Sequence, residues 1–232
     1  MKPPPTPGPR WPTLRGFVPA LVLVLGAVLG AVLPGPALSA QNPQETWSSC
    51  AQRTAAAERA AGMPRHLLTA VSKVESGRWH AQTGEIIAWP WTVTAGGEGR
   101  FLPSKAAAIA EVERLRARGV TNIDVGCMQI NLYHHPKAFD SLEQAFDPDR
   151  NVAYAIGFLR ELRDRWGSWT RAVGNYHSNT PALSGRYRAK VFKMVYAEKH
   201  RAAKRRRAAR LAARLALAQR DLRPPSTTPV IR

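Results

Sequence analysis

From Cys50 to Ala61 the chain is alanine-rich and helical in pattern, and Gly62 breaks it. Pro64 then stands where a helix opens, ahead of Leu67, Leu68, Val71 and Val74, which recur along one helical face; Gly77 is the expected stop. A third helix is predicted from its N-cap Ser104 through Ile109, Val112 and Leu115 to Gly119. In a fourth, Asp147-Pro148-Asp149 supplies an N-cap, a proline at the first helical position and an acid in the first turn. Its apolar stripe, Val152, Ile156, Leu159 and Leu162, ends at Gly167. A shorter helix is predicted from Trp169 to about Tyr176, and a last one from about Tyr187 through Val191, Met194 and Val195 into a basic tail. Alternation of the strand type is missing. Its best candidate, Val120 to Ile130, is interrupted by Gly126 and reads as an extended connection. The predicted fold class is mainly α, with no internal repeat.

Composition bounds this picture. The 232 residues allow one domain plus tails, and 44% hydrophobic against 22% charged residues rule out a wholly disordered chain. The net charge of +18 is unevenly spread: +3 over residues 1–40, +6 over 41–197, and +9 over the last 35 residues, where 11 bases face two acids. The middle is only mildly basic, so no nucleic-acid partner is expected. Lys2, Arg10 and Arg15 precede a 17-residue apolar run from Phe17 to Leu33, then Pro34-Gly35-Pro36 and the stretch Ala37-Leu38-Ser39-Ala40. That order is a signal peptide, 1–40; an uncleaved anchor is the alternative, because the run approaches the roughly 20 residues that span a bilayer. Either way residues 41–197, the domain, and 198–232, a basic helical tail with a disordered end, are expected outside the cytoplasm. There the two cysteines, Cys50 and Cys127, are expected to form a disulfide, although two buried thiols are the alternative. The bridge closes a loop of about 77 residues, worth about 4 kcal/mol in the chain-entropy model.

Glu75 carries the clearest candidate chemistry. It occupies the last turn of the Pro64 helix, one residue after Val74 and beside Ser76-Gly77. Desolvation and the negative end of the helix dipole both oppose its ionisation. A carboxyl group kept protonated near neutral pH is what a glycosidic general acid requires. Alone, a glutamate in a last helical turn is usually a solvated surface group. Here it stands in the first of four ordered motifs: Val74-Glu75-Ser76-Gly77, Gly126-Cys127-Met128-Gln129-Ile130-Asn131, Phe146-Asp147-Pro148-Asp149-Arg150-Asn151, and Ala172-Val173-Gly174-Asn175-Tyr176-His177-Ser178. Over about residues 47 to 197 this set resembles the lytic transglycosylases (SLT domain) of the goose-lysozyme-like superfamily.

The resemblance implies a lysozyme-like helical domain with a long insertion after the catalytic helix, acting in the periplasm on peptidoglycan glycan strands. It implies Glu75 as the single catalytic acid and base, with Ser76 helping to orient it. The segment Met128 to Asn131 would line the cleft that holds the sugar N-acetyl group, with Gln129 and Asn131 facing it, and Tyr176 would hydrogen-bond near Glu75. Met128 and Ile130 read equally as core packing. In the family's chemistry one glutamate protonates the MurNAc–GlcNAc glycosidic oxygen and then deprotonates the C6 hydroxyl of the same muramyl sugar, leaving a 1,6-anhydromuramyl end. A two-carboxylate hydrolase instead needs a second acid about 5 to 9.5 Å from the first. No second acid sits in a motif: Glu85, Glu98 and Asp124 lie in the insertion, and Asp147 and Asp149 already start a helix. The alternatives are a lysozyme-like hydrolase and a non-catalytic peptidoglycan-binding module.

Two departures qualify the transfer. Where many members read Tyr-Asn-Ala-Gly, this chain reads Tyr176-His177-Ser178-Asn179, so His177 either replaces the asparagine's hydrogen bond or is a half-exposed loop histidine. The 48-residue insertion from Arg78 to Val125 contains Trp79, Trp89, Pro90 and Trp91, which could give sugar rings a flat platform or pack against the core. His134-His135 with His80, His177 or Cys127 does not match zinc-ligand spacings, and a serine nucleophile lacks its elbow motif, so neither metal nor cofactor is expected. The tail from Lys199 to Arg214, centred on Lys204-Arg205-Arg206-Arg207, either contacts an anionic wall polymer or membrane surface, at about 1 kcal/mol per basic residue near an anionic membrane, or extends the last helix into solvent. Small stand-alone members often serve a secretion, conjugation or flagellar apparatus, which makes such a partner an expectation here.

Overall fold

Capping chemistry sets most helix ends in the computed structural model, which describes residues 43–221. The expected signal peptide, 1–40, and the last 11 residues of the tail lie outside the described residues. Ser104 Oγ accepts from the Ala107 N–H at 3.1 Å to open α3 (Lys105–Ala117). Asp147 accepts from the Arg150 N–H at 3.0 Å to open α5 (Pro148–Trp166), which Gly167 closes in the left-handed region at φ 75°. Ser168 caps α6 (Trp169–His177) in the same way. These three helices start where the sequence predicts.

Three other helix features depart from expectation. The first helix, α1 (Pro43–Ala60), begins seven residues before Cys50. The next, α2 (Leu67–Ser76), opens at Leu67 rather than Pro64, because its free N–H groups are met from α1: the buried Glu58 accepts from the N–H groups of His66 at 2.9 Å and Thr69 at 2.8 Å. The last, α7 (Pro181–Asp221), begins six residues before Tyr187. A single helical turn, α4 (Leu142–Ala145), precedes α5.

The predicted mainly α class holds, but the insertion is not strandless. β1 (Gly77–His80) and β2 (Glu85–Ala88) form an antiparallel hairpin with Gly77 opposite Ala88 and His80 opposite Glu85. A second sheet has the order β4-β3-β5-β6, with β3 (Thr92–Ala95), β4 (Glu98–Phe101), β5 (Ile123–Val125) and β6 (Ile130–Asn131), all antiparallel. The segment expected as an extended connection thus folds into two paired strands around Gly126. That glycine sits at φ 83°, and a Cβ there would lie 2.4 Å from the Asn151 side chain, so both backbone and space require it.

Two apolar clusters result. Leu68, Val71, Met128, Leu159, Val173 and Val191 join α1, α2, α5, α6 and the first half of α7. Trp89, Trp91, Val93, Val112, Ile123 and Phe146 fill the space between the larger sheet and α3. Trp89 and Trp91 are therefore core residues, and of the three tryptophans in the insertion Trp79 alone is exposed. The expected disulfide is present, Cys50–Cys127, with Cα atoms 5.7 Å apart. The buried ion pair Lys73–Glu198 at 2.7 Å fastens α7 to α2. Among the described residues no helix is long and apolar enough to cross a membrane.

Candidate active site

The last turn of α2 is held against the Gly126–Asn131 turn by two serines. Ser72 Oγ and Ser76 Oγ both donate to the Cys127 carbonyl, at 2.9 and 2.8 Å. Ser76 therefore positions the helix end that carries Glu75, rather than touching the carboxyl. On the other side of the turn stands the fully buried Asn151. Its Oδ1 accepts from the Met128 N–H at 2.8 Å, and its Nδ2 donates to the carbonyls of Val125 and Ala145 at 3.0 and 2.9 Å. The third motif thus clamps the second, a task that the helix-start reading of Asp147–Asn151 does not reveal.

Two tyrosines complete the arrangement from α6 and α7. Tyr176 donates its hydroxyl to the Met128 carbonyl at 2.8 Å. The phenol on Glu75 is a different one: Tyr187, buried on α7, donates to Glu75 Oε1 at 2.5 Å. Tyr176 thus bonds the turn within electrostatic reach of Glu75, while the carboxyl itself takes its hydrogen bond from Tyr187. Gly174 permits this placement, because a Cβ there would lie 2.4 Å from Ser184 Oγ and push α6 away from α7.

These elements enclose a cleft of about 650 Å³ whose lining includes Glu75, Asp124, Gln129, Asn131, Tyr176 and His177. Met128 is not among them: its side chain is fully buried, and it contributes only backbone groups. Gln129, in the left-handed region at φ 49°, donates from Nε2 to the Thr92 and Gly126 carbonyls and accepts from Thr94 Oγ1. Asn131 donates to Asn122 and Asp124 and accepts from the N–H groups of Tyr133 and His134. Both amides are thus committed to holding the wall in shape. His177 is exposed at the cleft and stacks on the Tyr187 ring, with centroids 4.8 Å apart and planes 10° apart. Trp79 does not line this cleft.

Electrostatics separate the titratable groups. Burial pushes the Glu75 pKa up to about 7, against the Tyr187 hydrogen bond, which lowers it; the Asp124 charge adds to the rise and Lys190 opposes it. Burial also raises Asp124, opposed by the Asn131 hydrogen bond and by the charges of His134, His177 and His135. Burial holds the Tyr176 and Tyr187 hydroxyls far above their ordinary range, so both are neutral donors. A carboxyl group poised at about 7 can give a proton and take one back at neutral pH. Among the described residues no group of three His, Cys, Asp or Glu is placed to hold a metal ion.

Sequence reasoning missed Tyr187, which is 112 residues from Glu75, and set Asp124 aside as an insertion acid. Neither a curated protein nor a solved structure matches the chain. The family model described as "Transglycosylase SLT domain" matches residues 52–191. That span takes in Glu75, the Gly126–Asn131 turn, Asn151 and the two tyrosines bonded to Met128 and Glu75. It covers more than half the chain, from the middle of α1 to the first half of α7, and the protein therefore belongs to the transglycosylase SLT domain family.

Proposed function

We propose that the protein is a periplasmic peptidoglycan lytic transglycosylase in which Glu75 serves first as acid and then as base. Membership of the family supports a function of the peptidoglycan lytic transglycosylase type. The observation that carries the finer reading is the setting of Glu75, a carboxyl group with its pKa near 7 at the cleft, bonded to the neutral Tyr187 hydroxyl. With Oε1 taken by Tyr187, Oε2 carries the proton and delivers it to the glycosidic oxygen between MurNAc and GlcNAc. The C1–O bond breaks and Glu75 is left as carboxylate. It then takes the proton of the C6 hydroxyl, whose oxygen bonds to C1 of the same sugar. The acid is restored, a 1,6-anhydromuramyl end is formed, and no water is consumed.

In this reading Gln129 and Asn131 form the wall beside the N-acetyl group, and His177 the edge next to Tyr187. Residues 1–40 export the chain, and the exposed stretch of α7 from Lys204 to Gln219 contacts an anionic envelope surface. A secretion, conjugation or flagellar apparatus as partner is tested by crosslinking in cells, where a pulldown without such components counts against it. The deciding experiment is mass spectrometry of fragments released from purified peptidoglycan by residues 41–232 and by the Glu75→Gln variant. Anhydro-muropeptides from the unmodified protein alone are the expected result. Fragments one water heavier, with reducing ends, would make it a hydrolase; bound but uncleaved glycan would make it a binding module.

A further inference from the structure

The proposed reaction uses one carboxyl group, yet a second faces the same cleft. Asp124 is the middle residue of β5, between the buried Ile123 and Val125, so strand alternation turns it to the face opposite theirs, where it lines the cleft with Glu75. Asn131, its partner in register on β6, donates from Nδ2 to Asp124 Oδ1 at 2.8 Å. The Asn131 oxygen is already taken by the N–H groups of Tyr133 and His134. With its acceptor occupied, Asn131 offers Asp124 only a donor, which favours the ionised form. His134 and His135, from the segment after β6, and His177, from α6, add positive charge when protonated.

Glu75 has different surroundings. Around it stand the neutral Tyr187 and Tyr176 hydroxyls, the Lys190 charge from α7, and Asp124. Burial raises both carboxyl groups, but at Asp124 the Asn131 donor and the histidine charges oppose it, and a charge on Asp124 helps to keep the proton on Glu75.

We infer that Asp124 is a second catalytic carboxylate of this site, an anion in the sheet wall of the cleft that faces the sugar ring as the glycosidic bond breaks. The inference rests on the reaction proposed above. As the proton leaves Glu75 and the C1–O bond opens, positive charge develops at C1 and the ring oxygen. Asp124 supplies a fixed countercharge in a poorly solvated cleft. It forms no bond and takes no proton, so the balance of the reaction is unchanged. This departs from the single-carboxylate scheme that the family resemblance implies.

Asp124→Asn removes the charge while leaving an oxygen for Asn131 to donate to. The expected result is a fall in kcat of about 100-fold with KM little changed. The alkaline limb of the pH profile, set by Glu75, should move to lower pH, because the charge that held its proton is gone. An unchanged kcat overturns the inference, and so does a lowered kcat with the alkaline limb in place, which is what a structural role would give. If the variant does not fold, carboxyl carbon NMR of the unmodified protein decides: Glu75 should respond in two steps, one at the pH where Asp124 ionises, and a single step overturns the inference. Glu75→Gln run alongside keeps the two claims apart. Activity in Glu75→Gln defeats the proposed reaction, whereas an inactive Glu75→Gln beside a fully active Asp124→Asn defeats this inference alone.

Discussion

The two walls of the cleft are built from different materials. The helical wall presents Glu75 from the end of α2, bonded to the buried Tyr187 of α7 and backed by Val71, Val173 and Val191. The sheet wall presents Asp124, Gln129 and Asn131, whose polar atoms are tied to one another and to backbone groups. Two carboxyl groups in one cleft are thus both raised by burial but opposed by different neighbours. The apolar wall removes solvent and offers Glu75 little besides one phenol, so the proton stays. On the polar wall burial also raises Asp124, but there an amide donor and the charges of His134 and His135, with His177 facing from α6, oppose the rise. The comparison teaches that the division of labour lies in the walls, since aspartic and glutamic acids differ little by themselves.

The largest expected effect comes from parting the walls. Cys127 lies in the turn that joins β5 to β6, and its bridge to Cys50 on α1 ties that turn to the helical core. In the chain-entropy model a bridge over 77 residues is worth about 4 kcal/mol. Cys50→Ser should therefore lower Tm strongly in oxidising buffer and leave it unchanged relative to the reduced, unmodified protein. Equal Tm for the unmodified protein with and without reductant would show that the hydrogen bonds of Ser72, Ser76 and Asn151 hold the walls together unaided.

A smaller effect separates function from stability at Glu75. In the folded protein this carboxyl holds its proton to about 7, against an ordinary 4.5. Between those two pH values the folded state binds more protons than the unfolded one, so stability falls as pH rises through the window. The full shift corresponds to a penalty on the order of 3 kcal/mol above pH 7, absent below about 4.5. Glu75→Gln removes the titration. Thermal melts should find the inactive variant more stable than the parent at pH 8, with the advantage shrinking toward pH 4.5. A pH-independent difference would mean that the apolar wall does not oppose the charge.

The helical wall was also the legible one. Asp147-Pro148 and Gly167 announce helix ends through local chemistry, and the stripe Val152, Ile156, Leu159 and Leu162 repeats long enough to be seen. The sheet wall is made of strands of two to four residues, too short for alternation to stand out from chance. Asp124 shows the consequence, because three residues of β5 turn it toward the cleft and nothing in its sequence neighbourhood does. The cap of α2 was hidden for another reason: Glu58 reaches it from a different helix. Glu75 was legible as a carboxyl at a helix end, and its partner Tyr187 was not, since that contact exists only once α7 lies on α2.

Tyr187→Phe gives the smallest effect and the sharpest comparison. The hydroxyl donates to Glu75 Oε1 and so favours the carboxylate, in opposition to burial. Without it, burial acts with less resistance and the Glu75 pKa rises above about 7. The alkaline limb of kcat/KM should then move to higher pH, the reverse of the shift expected for Asp124→Asn. The rate at neutral pH should fall by at least about tenfold, because a hydrogen bond to a charged group contributes upward of about 1.5 kcal/mol and the carboxylate must form before it can take the C6 proton. The ring remains, so the stack with His177 and the packing on α6 stay in place. A limb that moved the same way in both variants would mean that the two walls do not pull the Glu75 proton in opposite directions.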